Sequence, residues 1–188
     1  PFAILLAHHA PHMPFQAPTR LIDKYRRRLG KEGSENVAIV YAMIEAMDAG
    51  LGRLFKTLKD EGIWEQTIVV FSSDNGAQLG NAKGGSTQRF HAGLSGNKGD
   101  VGEQGIRVPA IAAWPGRIPA GTVVHIPVHG CDWLPTLFSQ TGAALPATGK
   151  KFDGLNVMPM LLGKSQPELG DRVLPFQKNR YMPAAHSD

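Results

Sequence analysis

The sequence predicts an α/β fold, a largely parallel sheet flanked by helices, and three observations carry that prediction. Short apolar runs of strand length, AILLA (3–7), IVVF (68–71) and VPAIAAW (108–114), are each bounded by polar or turn residues. A long helical stripe separates the first run from the second. Polar side chains then gather where these runs end or begin: His8, His9 and His12 after the first, Asp74 and Asn75 after the second, Lys98 ahead of the third. Open α/β sheets place their ligands at the carboxyl ends of strands.

Composition narrows the class. The 188 residues suffice for one domain with a real core, and 42% hydrophobic with 19% charged residues excludes a disordered chain. The net charge of +4 sets 20 Lys and Arg against 16 Asp and Glu. The one dense basic run, Arg26-Arg27-Arg28, fans around a helix and reads as a solvated face, so nucleic acid is not the expected partner. No apolar stretch reaches membrane-spanning length, and PFAILLAHHAPHMPF lacks the basic start of a signal peptide. It reads as a core strand opening abruptly at Pro1, as if the chain began in the middle of something. A single cysteine, Cys131, rules out an intrachain disulfide.

Each element follows in order. After strand 3–7, residues 18–29 form a short helix with Leu21, Ile22 and Tyr25 inward. Val37, Val40, Ile44, Met47, Leu51, Leu54 and Leu58 recur at steps of three and four, the stripe of a long amphipathic helix that Ser34 begins and Gly62 ends. Strand 67–73 follows. Residues 76–105 are rich in Gly, Ser, Asn and Lys without periodicity, a length of loop that is usually functional. Strand 108–114 resumes the core and closes on the turn PGRIPAG. Asp132 caps a short helix with Pro135 in its first turn and Gly142 at its end, and Asn156, Pro159 and Gly163 repeat that design. The tail holds one candidate strand, RVLPF (172–176).

The residues that carry chemistry sit in the loops. Asp74-Asn75-Gly76 has two readings: a turn, since Asn-Gly favours one, or a pair of hard oxygen ligands for Ca²⁺ or Mg²⁺. Two ligands do not close a metal shell; Asp100 and Glu103 are candidates to add to it, although Gly99 and Gly102 beside them argue equally for turns. His12, between two prolines in PHMP, is either an exposed loop residue or a donor to an anion or a leaving oxygen. His8 and His9 point opposite ways, so at most one of them faces a site. Lys98, in SGNKGD, is either solvated or a compact positive charge against a phosphoryl or sulfuryl oxygen. Cys131, in GCDWLPT, reads as a buried small hydrophobe and not as a nucleophile. GxxxxGK[ST], GxSxG and HExxH are all absent.

Five segments in order resemble one family. HAPHMPF resembles a PHxP segment after a core strand, and YAMIEAMDAGLGRLFKTLKDEGIWEQTIVVFSSDNG a long helix leading into a metal-binding strand. GNKGDVGEQGIRVPAIAAWPGRIPAG is similar to GGKGxxxEGGxRVPxxxxWPG, while CDWLPTLFSQTGAALP and FDGLNVMPMLLG match xDxxPTLxxxxGxxxP and xDGxxxxPxLxG. Together they resemble the C-terminal part of the catalytic domain of type I sulfatases, arylsulfatase-like members of the alkaline-phosphatase-like superfamily.

The resemblance implies a divalent-metal-dependent hydrolase of sulfuric esters. It makes Asp74 and Asn75 metal ligands for Ca²⁺, or Mg²⁺, and makes His12 and Lys98 catalytic residues that contact the sulfate. Glu103 and Arg107 become supports of the loop. It also implies an incomplete fold with its N-terminal part missing: residues 1–170 as the C-terminal part of the catalytic domain, and 171–188 as the start of a C-terminal subdomain cut short after Tyr181. The formylglycine nucleophile, made from Cys or Ser in C/S-x-P-x-R, and two further metal-binding aspartates are expected upstream, since neither pattern occurs in these residues. Partners are then a sulfated small molecule or carbohydrate and the missing N-terminal half, with the periplasm, lysosome or extracellular space as the family's usual location. Alone, these residues are expected to lack turnover. Two alternatives stand beside this reading: a phosphonate or phosphate ester hydrolase of the same superfamily, or an inactive truncated paralogue that binds anions or a partner. Val101-Gly102 stands where many relatives carry a hydroxyl residue and an aromatic, which predicts a different pocket wall.

Overall fold

Two helices dock at the start of the chain because each has one apolar flank for the other. The computed structural model describes residues 2–82, 85–142 and 151–178. α1 (Thr19–Leu29) buries Leu21 and ends at Gly30, whose φ of 68° lets its N–H return to the Arg26 carbonyl. Its last turn carries Arg26, Arg27 and Arg28, favourable at a helix C-terminus. Arg26 pairs with Asp23 at 2.7 Å and with Glu35, all in solvent, as the sequence predicts for that run.

α2 (Glu35–Asp60) lies between the two residues the sequence names as its limits, Ser34 and Gly62. The apolar stripe is only half covered. Val37, Val40 and Leu58 are buried, but Ile44 and Leu54 remain exposed, and Asn36, Ala38, Ala42 and Met43 are buried instead. Burial thus concentrates in the first turns, which α1 grips through the Tyr25–Tyr41 ring pair, 5.6 Å apart, and a Lys24–Glu45 bond of 2.6 Å. Asn36 is buried because it donates to the Gly85 carbonyl at 2.9 Å on the opposite side.

A 3₁₀ turn at Trp64–Gln66 leads into β1 (Val69–Ser72). β2 (Asn81–Ala82) and β3 (Gly85–Ser86) form a small antiparallel ladder. α3 (Glu103–Ile106) is one turn, and β4 (Ala110–Ala113) pairs with β1, Val69 opposite Ala113 and Ser72 opposite Ala110.

The β1–β4 pair is antiparallel, a first correction at this one pair: among the described residues every strand pair is antiparallel, and the largely parallel sheet expected from the sequence is not confirmed there. The reason lies in the connection. Gly76 N–H donates to the Gly105 carbonyl at 2.9 Å, so the chain returns to the end of β1 that it left by. A parallel partner needs a crossover to the opposite end.

A second correction concerns residues 3–7. They form no strand, and Leu5 is 93% exposed. A strand needs a hydrogen-bonding neighbour, and none of the described residues provides one.

The C-terminal part is organised by one carboxylate. A 3₁₀ turn, Gly130–Asp132, runs into α4 (Trp133–Phe138), followed by α5 (Met158–Leu161) and α6 (Pro167–Gly170). Val157, Met160 and Leu169 form its core, with Ile126, Val128, Trp133 and Leu161 against it. Asp132 is 0% exposed. It does not cap α4, as the sequence predicts; it accepts from His129 N–H at 2.7 Å, Leu155 N–H at 2.9 Å and both Arg172 Nη atoms at 2.7 and 2.6 Å. Asn156 does accept from Met158 N–H at 3.0 Å and so starts α5 as expected. RVLPF is not a strand, because Arg172 turns inward to Asp132. Residues 143–150 and 179–188, which carry the end of the GAALP segment and most of the second unit expected over 171–188, lie outside the described residues. No helix among the described residues is long and apolar enough to cross a membrane.

Candidate active site

The chain leaves β1 at Ser73, and its next residues are pinned at once. Ser72 Oγ donates to the Pro109 carbonyl at 3.0 Å and Ser73 Oγ to the Asn75 carbonyl at 2.9 Å. Asn75 Nδ2 donates to the Gly76 carbonyl at 2.9 Å, which orients the amide and leaves Oδ1 unclaimed among the described residues. Asp74 is exposed and its carboxylate has no ion pair or hydrogen bond among them. The chain therefore bends at Asp74 and Asn75, and the bend leaves a carboxylate and an amide oxygen without a protein partner among the described residues.

Lys98 is brought to the same unit by backbone. Its N–H donates to the Ala77 carbonyl at 3.1 Å, next in sequence to the Gly76–Gly105 link. The approach is too close for a side chain: a Cβ on Gly76 would lie 1.7 Å from the Gln104 carbonyl oxygen, and one on Gly105 2.2 Å from that of Asp100. Glycine is required at both for this contact. Lys98 is half-buried and its ammonium has no acidic partner among the described residues.

Asn97, which the sequence reading passes over, closes this unit. Its Oδ1 accepts from Leu79 N–H at 2.6 Å and its Nδ2 donates to the Leu79 carbonyl at 3.0 Å. A side-chain amide thus imitates a strand pairing and brings the ends of the long loop together. The sequence signal was only the general turn preference of Asn beside Gly.

The two acids considered for the metal shell are otherwise engaged. Glu103 pairs with Arg107 at 3.1 Å, and Asp100 with Lys178. Among the described residues no group of three or more His, Cys, Asp or Glu side chains converges. Asp74 and Asn75 fit a hard divalent cation by donor type, as part of a larger shell.

His12 stands apart. Its N–H donates to the His9 carbonyl at 2.9 Å, and its Nδ1 and His9 Nε2 both donate to the Met13 carbonyl at 2.9 Å, with the two rings 5.6 Å apart. Every hydrogen bond of His8, His9 and His12 stays within residues 8–13, so the structure brings Asp74, Asn75 and Lys98 together and leaves His12 outside that unit. Nδ1 is nevertheless committed as a donor, which leaves Nε2 as the ring atom open to a ligand.

Cys131 lies elsewhere. Burial first, then the charge of Asp132, pushes its thiol up from the ordinary value, and His129 Nδ1 lies 3.0 Å from its Sγ. A protonated thiol is a poor nucleophile. For Asp132 itself burial pushes upward, but hydrogen bonds from Arg172, Leu155 and His129, with the Arg172 charge, outweigh it and hold the carboxyl below its ordinary value.

The family model described as Sulfatase matches residues 1–143. An N-acetylgalactosamine-6-sulfatase from Canis lupus familiaris is 37% identical over 165 residues, covering 87% of this chain and 29% of the relative. Arylsulfatase A from Homo sapiens is 34% identical over 164 residues, with 87% and 29% covered. Among solved structures, Ps i-CgsB in complex with k-i-k-neocarrahexaose is 31% identical with a TM-score of 0.70, covering 84% of this chain and 33% of that one. The chain thus spans well under half the length of these relatives.

Proposed function

This chain belongs to the sulfatase family, and from that premise we propose that it supplies one side of the active site of a sulfate ester hydrolase whose activity resides in a longer protein. Asp74 Oδ and Asn75 Oδ1 hold a divalent cation, Ca²⁺ or Mg²⁺, with ligands from the remainder of that protein. When bound, such an ion supplies positive charge to the sulfuryl oxygens. Lys98 adds a second positive charge on the same anion, and the lack of an acidic partner among the described residues leaves the ammonium available for that role. His12 donates through Nε2 to the departing alcohol oxygen; the Nδ1 bond to Met13 fixes the ring for this, so the active form is the imidazolium. The nucleophile is expected from a formylglycine formed outside these 188 residues.

Joining the missing half would also give residues 3–7 and the free edge of β1 neighbours, and the largely parallel sheet is proposed for that complete state. A sulfated carbohydrate is the favoured substrate class, because one relative is named for an N-acetylgalactosamine sulfate and one structural neighbour holds a neocarrahexaose.

The observation that carries the reading is the pair of backbone links, Gly76 to Gly105 and Lys98 to Ala77, that make Asp74, Asn75 and Lys98 one unit. The test uses the full-length protein. Asp74→Ala and Lys98→Ala should each lower kcat/KM for 4-nitrophenyl sulfate by about 100-fold or more, the scale of losing one preorganised electrostatic contact. Asp74→Ala should also lower the metal retained after gel filtration. Near-wild-type turnover in either variant would overturn the assignment.

A further inference from the structure

A hollow of about 420 Å³ lies where the end of α1, the first turns of α2 and residues 86–90 meet. It is an open depression and not an enclosed cavity. Leu29, Val37 and Tyr41 form its apolar wall, and Gln88, Arg89 and Phe90 its outer one.

Arg89 is the unusual member. Its Nη1 donates to the Gln78 carbonyl at 3.1 Å and the Thr87 carbonyl at 2.9 Å, which locks the guanidinium plane. Nη2 and Nε have no partner among the described residues, and no carboxylate is bonded to the group. Burial pulls its pKa below the ordinary value. A half-buried, unneutralised guanidinium held by two carbonyls is prepared for an anion that takes its remaining N–H groups as a fork. Beside it Phe90 is 87% exposed, an aromatic ring with no protein surface to cover. An aromatic face, a planar cation and an amide are a combination suited to a charged sugar, whose C–H face packs on the ring while its polar edge takes hydrogen bonds. Glu32, the one acidic residue of the lining, has no ion pair among the described residues and can accept from sugar hydroxyls.

The hollow is also mechanically joined to the site. The Gln78 carbonyl that holds Arg89 follows the Ala77 carbonyl that holds Lys98. From Gln78 back to Asp74 the chain spans at most about 14 Å. Ser34 Oγ bonds the Ser86 carbonyl, fixing the loop to the start of α2.

We infer that this hollow binds a second sulfated sugar unit of the substrate, with Arg89 gripping its sulfate and Phe90 packing on its ring. The inference rests on the carbohydrate sulfatase reading above. It makes the hollow a specificity subsite: it selects chains bearing a second sulfate near the one that is cleaved.

The experiment is titration calorimetry of the full-length protein with neocarrahexaose and with the same hexaose chemically desulfated. Arg89→Ala should weaken binding of the sulfated hexaose by about tenfold or more, the scale of a charge-assisted bond. Arg89→Lys should restore only part, because an ammonium lacks the fork. Since Arg89 also holds the loop, Phe90→Ala provides an independent test; the ring is 87% exposed with no ring partner among the described residues, and its removal should still weaken the hexaose. Wild-type affinity for the desulfated hexaose should already be low. Unchanged binding in both Arg89→Ala and Phe90→Ala, or no preference of the wild type for the sulfated form, would overturn the inference. If neither 4-nitrophenyl sulfate nor the hexaose loses sulfate while Arg89 and Phe90 still govern hexaose binding, the hydrolase reading falls and the hollow stands as a binding site for a sulfated sugar.

Discussion

Replacing Gly76 with alanine strains the frame that holds the proposed metal ligands and Lys98. The added Cβ would sit 1.7 Å from the Gln104 carbonyl oxygen and 2.7 Å from its carbon, where contacts below 3.0 Å essentially never occur. Both sides are main chain, so no rotamer relieves the overlap, and the backbones must part by at least about 1.3 Å. The Gly76–Gly105 bond, 2.9 Å long, would then open beyond hydrogen-bonding distance. Orphaning that N–H costs about 1–3 kcal/mol, which lowers Tm. Displacement of reacting groups by about 1 Å costs about 100-fold in rate. We predict both effects together: a lower melting temperature by circular dichroism, and a fall of about 100-fold in kcat/KM for 4-nitrophenyl sulfate in the full-length protein. Gly130→Ala is the control, since nothing lies within 4 Å of the Cβ it would add. A Gly76→Ala protein with wild-type melting and rate would refute the claim that this contact frames the site.

The remaining predictions concern the supports. Asp132→Ala should destabilise by about 3–5 kcal/mol in urea unfolding, because Arg172 is left inside without its partner, and adding Arg172→Met should recover part of the loss; simple additivity would argue against a coupled pair. The Asp132 carboxyl is held below its ordinary value, so its stabilisation is complete above about pH 4 and is lost as pH falls through its lowered folded value. Asp132→Asn should therefore flatten the acid limb of a stability-versus-pH curve, and an unaltered limb would exclude this role. Cys131 should react with iodoacetamide at neutral pH far more slowly in the folded protein than in urea; equal rates would contradict its raised pKa. Asn97→Ala removes both bonds that close the loop, so trypsin should cut after Arg89 faster than in the wild type, at a cost of about 1–2 kcal/mol in stability.

Local features were legible in the sequence because their causes are local. Ser34 and Gly62 bound α2, Asn156 starts α5, and β1 and β4 lie inside the strands expected over 67–73 and 108–114. What the sequence concealed depends on where distant segments return. The antiparallel pairing of β1 with β4 was not legible because the Gly76–Gly105 contact, not the apolar runs, decides which end the chain re-enters. Asp132 has the form of a helix cap, yet Arg172, 40 residues away, draws it elsewhere. Residues 3–7 have the pattern of a strand without the neighbour that would make one. For the candidate site, the residue types were readable at positions 12, 74, 75 and 98. Their grouping was not, since it rests on main-chain links and on the Asn97 amide.

Asn97 holds Leu79 by two bonds and so ties off the segment between them like the neck of a pouch. Up to Ser95, whose carbonyl accepts from Gln104 N–H at 2.8 Å, what hangs inside has little part in positioning Asp74 or Lys98. Lengthening a closed loop is cheap, about 0.6 kcal/mol for each doubling. Insertions and substitutions between residues 80 and 94 can therefore be accommodated while Asp74, Asn75 and Lys98 stay where they are. A tied loop of this kind can change its length and surface while the frame at its neck keeps its shape.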